Sequence, residues 1–419
     1  MKSSATNSTP SLRTLPRNVW VVTATSFLTD ISSEMLVYLI PLFLSTVLGV
    51  RLSVVGLIDG IAETTASLVK VFSGWFSDRL GRRKWLTVAG YSLSALAKPL
   101  FAVANSWAAV LAIRFTDRLG KGIRTAPRDA LVADSIDEQH RGLAFGLHRA
   151  GDTAGAMIGL LLALAVVLAM QGHELTLERS TFRTIALLSI IPAALAVLVL
   201  VVGARDVAVV SQRERPRLSL AGFDGRFKRL LLVMVLFTLG NSSDAFLVLR
   251  AQSLGVSLPA VLGMLALFNL LYALVSGPAG ALSDRIGRRR LIASGWLFYV
   301  LIYLGFAKAQ AAWQLWGLFA AYGLYYALTE GSAKALVADV VTPAQRGSAY
   351  GLFNGAIGLA ALPASLLAGL LWQGAGGWNG FGPAAPFIFG AGMALLAVAL
   401  LLWWMPRNDG WADTPRGQL

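Results

Sequence analysis

The chain has 419 residues, 56% of them hydrophobic and 14% charged, with a mean hydropathy of +0.65, which is more apolar surface than a soluble domain can hide. Lys and Arg outnumber Asp and Glu by 36 to 22, but the excess lies in short connections between apolar runs, the pattern of membrane orientation and not of nucleic-acid binding. There is no cysteine, which excludes disulfides and thiol chemistry, and His140, His148 and His173 lack the spacing of a metal site.

Residues 1–17 are polar and precede a span too long for a signal-peptide core, so the N-terminus is expected to stay on the chain. Apolar runs of about 20 residues then predict twelve helices. Their limits are 18–48, 54–78, 85–104, 107–134, 139–170, 181–203, 229–252, 258–283, 291–308, 311–340, 343–372 and 384–405. Basic residues cluster in alternate connections: Arg79 to Lys84, Arg205 to Arg229, and Arg285 to Arg290. By the positive-inside rule both termini and the central stretch 204–228 face the cytoplasm of a multi-pass plasma-membrane (bacterial inner-membrane) protein. That stretch is read as the linker between a bundle over 1–203 and a second over 229–419.

Several spans carry charge where lipid would penalise it. The first holds Asp30 and Glu34 one turn apart; a mid-bilayer charge costs roughly 2.5–3.5 kcal/mol, so such residues have partners or a task. The second places Asp59, Glu63 and Lys70 on one face. The fourth places Arg114, Asp117, Arg118, Lys121 and Arg128 within a sector about 100° wide. The fifth carries His148 and Asp152 on the face of Gly151, Gly155 and Gly159. In the seventh stand Asn241 and Asp244, and in the tenth Tyr322, Tyr325, Tyr326, Glu330 and Lys334.

The chain repeats itself. GWFSDRLGRRK at Gly74 returns as GALSDRIGRRR at Gly280, and ALVADSIDEQHRGLAFG at Ala130 returns as ALVADVVTPAQRGSAYG at Ala335. ISSE at Ile31 has a weaker echo in NSSD at Asn241. Near-constant offsets indicate duplication, and two six-span units in one orientation are the parallel repeats of a rocking transporter with its site between them.

The doubled G-x-x-x-D-R-x-G-R-R loop resembles motif A of the major facilitator superfamily, and RFTDRLGKG at Arg114 resembles that family's fourth-span motif, with Arg118 where a glycine is common. The resemblance covers the whole chain. It implies an all-α membrane fold of twelve helices in two parallel six-helix repeats, and a secondary transporter acting by alternating access. It also implies a gating charge relay of Gly74, Asp78, Arg82 and Asp134, repeated as Gly280, Asp284, Arg288 and Asp339. Because the first and fourth spans are cavity-lining neighbours in that family, Asp30 and Glu34 are expected to face the basic stripe. Arg114, Arg118, Lys121, Asn241, Asp244, Tyr326, Glu330 and Lys334 are expected to bind substrate, and Asp30, Glu34 or Asp152 to carry the coupling proton. Asp59, Glu63 and Lys70 are expected at the contact between halves.

The surplus of cations on the fourth span suggests an anionic or zwitterionic solute. A nucleophile–base set, metal ligands and a P-loop are all missing from the sequence, so neither enzyme catalysis nor ATP hydrolysis is indicated, and no cofactor is called for. The expected protein is a monomer in the bilayer that exports a small organic molecule in exchange for protons. Proton-coupled uptake of a small, possibly anionic solute is the alternative, and a transporter-fold receptor a remoter one.

Overall fold

The computed structural model describes residues 15–80, 82–137, 141–207, 219–342 and 345–404. Among these residues there is no strand, and twelve helical rods carry the fold. They are α1 (Arg17–Val47), α2 (Leu52–Leu80), α3 (Arg83–Val103), α4 (Trp107–Asp134), α5 (Arg141–Gln171) and α6 (Arg179–Gly203), followed by α7 (Gly225–Ser253), α8 (Leu258–Ile286), α9 (Arg288–Lys308), α10 (Ala312–Asp339), α11 (Arg346–Gln373) and α12 (Ala385–Trp404). Ten are long and apolar enough to cross a membrane. The two that are not, α4 and α10, hold matching places in the repeat.

Several rods are interrupted where the sequence weakens the helix. In α1, Pro41 lacks the N–H that the ladder needs, and the rod closes in a π turn over Phe43–Val47. In α6 the break at Ser189 stands just before Pro192. The break that matters most lies in α7. Its first segment ends at Gly240 and its second begins at Ala245, leaving Asn241–Asp244 unwound. Asn, Ser and Asp compete for backbone hydrogen bonds with their own side chains, so NSSD is a poor helix core.

The loops of the repeated motif lie at one end of the bundle, here the motif end. There α1, α3 and α5 begin and α2 and α4 finish. In the second copy Gly287 turns the chain between α8 and α9 at φ +91°, a conformation that favours glycine. Its counterpart Gly81, expected to make the same turn, lies outside the described residues, as do 208–218 of the expected linker. Before that gap, Asp206 accepts from the backbone N–H groups of Arg83 and Lys84 at 2.9 and 3.1 Å, tying the chain after α6 to the start of α3.

Among the first six helices α1 packs on α5 and α6, and α4 on α2 and α3; among the last six α10 packs on α8 and α9, and α12 on α7 and α9. Across the middle, α2 lies against α11 and α5 against α8. The α2–α11 contact is tightest away from the motif end. A Cβ on Gly56 would stand 2.1 Å from the carbonyl oxygen of Ser365, and one on Gly60 would stand 2.8 Å from Leu362 Cα. Backbones meet there. Polar bonds join the same two helices: Leu52 N–H donates to Gln373 Oε1 at 2.8 Å at that end, and Thr64 Oγ1 to the Gly358 carbonyl at 2.6 Å at mid-height.

Candidate functional site

A cavity of about 400 Å³ sits at mid-height between the first six and last six helices. Asp30, Glu34 and Tyr38 of α1, Asp59 and Glu63 of α2, and Arg114, Asp117, Arg118, Lys121 and Arg124 of α4 line one side. The unwound Asn241–Asp244 segment, Tyr326 of α10, and Ile357, Ala361 and Ser365 of α11 line the other. The sequence expectation that Asp30 and Glu34 share a space with the α4 stripe therefore holds.

The pairing within that space differs from expectation. Arg114 bonds Asp59 at 3.0 Å with both side chains buried, and Ser243 Oγ donates to the second oxygen of Asp59, also at 3.0 Å. Asp59 thus joins α4 to the unwound part of α7. Arg118 Nε lies 3.6 Å from Glu63 and 3.8 Å from Asp117. Arg114 and Arg118 of the stripe are neutralised by α2, and Glu63 lines the cavity where contact between halves was expected of it. Among the described residues the carboxylates of Asp30 and Glu34 make no hydrogen bond or ion pair. They face the cavity itself.

The lining carries six carboxylates (Asp30, Glu34, Asp59, Glu63, Asp117, Asp244) against four cations (Arg114, Arg118, Lys121, Arg124). The cation surplus inferred from α4 alone is reversed once all the walls are counted. Removing one partner from the buried pair should be costly. Arg114→Met, which leaves Asp59 uncompensated, is expected to cost about 3–5 kcal/mol, and Arg114→Met with Asp59→Asn to recover most of it. Thermal unfolding in detergent measures both, and equal destabilisation of single and double variants would contradict the pairing.

The last six helices supply an aromatic wall. Tyr322 OH donates to Asp244 at 2.9 Å, and Tyr299 and Tyr303 both reach Asn241 Oδ1 at 3.4 Å. Tyr325 stacks within the same cluster. Glu330 and Lys334, grouped with the substrate site from sequence, line a neighbouring cavity instead, together with Arg149, Tyr272 and Tyr326. The reason is depth: both lie beyond Tyr326 on α10, toward the motif end.

Asp152 sits in a separate polar cluster, its carboxylate 3.5 Å from His148 Nδ1. His148 Nε2 meets Ser26 Oγ at 2.9 Å, and Ser26 in turn meets Tyr91 OH at 2.9 Å and accepts from Arg128 at 3.2 Å. The Gly151–Gly155–Gly159 ladder on the same helix packs against α1.

At the motif end of the second copy Arg288 bonds Asp339, two of the four residues of the expected relay. The first copy is shifted by one residue. Arg83 pairs with Asp134 while Arg82 is exposed, because α3 starts at Arg83 and turns that side chain inward. Gly74 faces Ala126 of α4, so its close approach lies within the first six helices. The side chains of Asp78, Gly280 and Asp284 lie outside the described residues.

Sequence reading missed Lys98, buried in α3 and donating to Ser32 and Ser33 at 2.9 and 3.0 Å. A lone lysine in an apolar run was its signal. It also missed Arg124, which lies just off the stripe, stacks over Tyr91 at 4.3 Å, and keeps Nε and Nη1 buried without a partner.

The model of the Major Facilitator Superfamily matches residues 22–249 and again 230–418. The chain belongs to the Major Facilitator Superfamily. It is 35% identical over 399 residues to an uncharacterized MFS-type transporter of Methanocaldococcus jannaschii, covering 93% of this chain and 96% of that one. A probable 4-methylmuconolactone transporter of Cupriavidus pinatubonensis is 29% identical over 64% of this chain and 65% of its own length. The multidrug resistance protein MdtG of Serratia proteamaculans is 26% identical over 73% and 75%. Among solved structures, a bacterial homologue of the human lysosomal transporter Spinster, inward-facing and occupied, superposes with a TM-score of 0.73 at 15% identity, covering 92% of this chain and 95% of its own. The human organic anion transporter MFSD10 gives 0.67 at 20% identity, covering 92% and 99%. These relatives are transporters, and this superfamily member is a multi-pass membrane transporter, not an enzyme.

Proposed function

We propose that the protein is a proton-coupled secondary transporter that exports a small organic solute by alternating access. In this reading units 1–203 and 229–419 rock about the 204–228 linker, with both termini in the cytoplasm of a bacterial inner-membrane protein. The observation that carries it is the unpartnered Asp30–Glu34 pair in a cavity where carboxylates outnumber cations. Charge left open at that depth needs a neutralising partner that comes and goes, and a proton is the smallest such partner. If solute, held by other walls of the cavity, and a proton on these carboxylates occupy the cavity in turn, the two are exchanged in opposite directions, which is export driven by the proton gradient.

A second reading is favoured by Arg124, whose buried guanidinium atoms lack a partner beside the cavity. An anionic group held there beside Asp30 would require a proton on that acid, and the two would travel together as uptake. Protein reconstituted in liposomes separates the readings. Solutes found by ligand-induced thermal shift are expected to accumulate in the compartment of higher proton concentration for exchange, and in the opposite one for co-transport. Flux indifferent to a pH gradient of either sign would remove proton coupling altogether.

A further inference from the structure

Arg149 reaches across the middle of the molecule. From α5 it donates to Tyr272 OH of α8 and pairs with Glu330 of α10 at 3.3 Å. Its guanidinium also lies 5.3 Å from the centre of the Tyr272 ring. Tyr272 OH donates in turn to Glu330 at 2.5 Å, and Lys334 bonds the other Glu330 oxygen at 2.9 Å. One cation of the first six helices is therefore held by a hydroxyl and a carboxylate of the last six.

Its position gives the cluster a role. Arg149 stands eight residues into α5 and Glu330 nine residues from the end of α10, so both are about 12–14 Å from the motif end; Asp30, thirteen residues into α1, is about 20 Å deep. The cluster thus lies between the central cavity and the motif end. Tyr326 borders both spaces, the central cavity on one side and the smaller space around Arg149 and Glu330 on the other. Away from the motif end, α2 and α11 meet backbone to backbone. Between the cavity and the motif end, Arg149 supplies side-chain polar bonds that join the first six helices to the last six. Among the described residues, a backbone contact at one end and the polar bonds of Arg149 at the other describe a molecule shut on one side and latched on the other.

We propose that Arg149, Tyr272 and Glu330 form a latch that closes the central cavity toward the motif end, with Tyr326 as its inner leaf. The proposal rests on alternating access as read above and assigns Glu330 to gating in place of substrate binding. Opening that end separates α5 from α8 and α10 and must break both Arg149 bonds together, while the Tyr272–Glu330 bond stays within the last six helices. Lys334 shares a helix with Glu330, so it orients the carboxylate without itself bridging the two sides.

The chain has no native cysteine, so introduced cysteines label uniquely. Spin labels at Leu80 and Ile286, exposed and repeat-related positions at the motif end of α2 and α8, report opening by double electron–electron resonance. Arg149→Met and Glu330→Gln are each expected to raise the ratio of long to short distances about threefold or more, the scale of a partly exposed ion-pair network. Tyr272→Phe, the mildest change, should move it the same way by less. Arg149→Glu combined with Glu330→Arg should return it toward the wild-type ratio, and Lys334→Met should shift it less than either latch variant. An unchanged ratio in Arg149→Met and Glu330→Gln, or an equal shift from Lys334→Met, overturns the latch. Two wild-type distances with no variant effect would overturn the latch alone, whereas one distance in every protein overturns alternating access with it.

Discussion

Asp30→Asn and Glu34→Gln are each expected to abolish solute flux driven by a pH gradient while leaving solute exchange at equal pH intact. The two carboxylates stand one turn apart in α1 and face the cavity with no hydrogen bond or ion pair among the described residues. Arg114, Arg118, Asp59 and Glu63 are occupied with one another, so removing either α1 acid breaks no bond. An amide of the same shape keeps the cavity filled but can neither bind nor release a proton. Exchange needs only solute binding and rocking; net flux against a gradient needs the proton as well. Liposomes loaded and diluted at equal or unequal pH measure the two modes separately. Should both variants still follow the pH gradient, the coupling proton travels elsewhere, and the Asp152–His148 cluster becomes its carrier.

Gly56→Leu is the second substitution expected to stop transport, by at least about tenfold, while folded protein remains in the membrane. Its Cβ alone would fall 2.1 Å from a carbonyl oxygen of α11, a separation that a flexible side chain could relieve but a backbone atom cannot. The closed end could no longer close. Separated halves have room for the leucine, so the fold survives in the other arrangement and the cycle stops there. A cysteine at Ala361, which lines the cavity, should then react faster with an impermeant maleimide added from the side opposite the motif loops. Wild-type transport in Gly56→Leu would mean that the α2–α11 contact does not have to re-form in each turnover.

The apolar runs located all twelve helices because length and hydropathy suffice for that, even for α4, which is too charged to pass as an ordinary span. Most ends agreed within a few residues; α7 starts earlier than predicted, at Gly225. Its interruption was missed although GNSSD is a run of turn formers, because flanking apolar residues allow a continuous helix in one dimension. The meeting of Asp30, Glu34 and the α4 stripe followed from depth along two antiparallel helices. The partners of the stripe did not follow, since rotation about the axis decides whether Arg114 meets Asp59 of α2 or an acid of α1, and depth is silent on rotation. Arg149 was passed over for a similar reason. It lies near the start of α5, where a basic residue needs no explanation beyond topology. The swap of Arg82 for Arg83 turns on where a helix begins, which is the least certain feature of any sequence reading.

The polarity of α4 also bears on how the chain is made. Arg114, Asp117, Arg118, Lys121 and Arg124 all fall inside this rod, and each would cost about 2.5–3.5 kcal/mol at the centre of a lipid-exposed helix. No stretch of α4 is apolar enough to leave the insertion machinery for lipid unaided. Its neighbour α3 is apolar enough, and the two rods touch so closely that a Cβ on Gly120 would stand 2.6 Å from the Gly90 carbonyl oxygen. On this ground α3 and α4 are expected to enter the bilayer as one hairpin, with the charged face of α4 turned from lipid toward α2, which supplies Asp59 and Glu63 and emerges earlier from the ribosome. On that expectation, Gly90 and Gly120, which allow this approach, would serve biogenesis as well as packing, and the order of helices along the chain would double as an order of delivery.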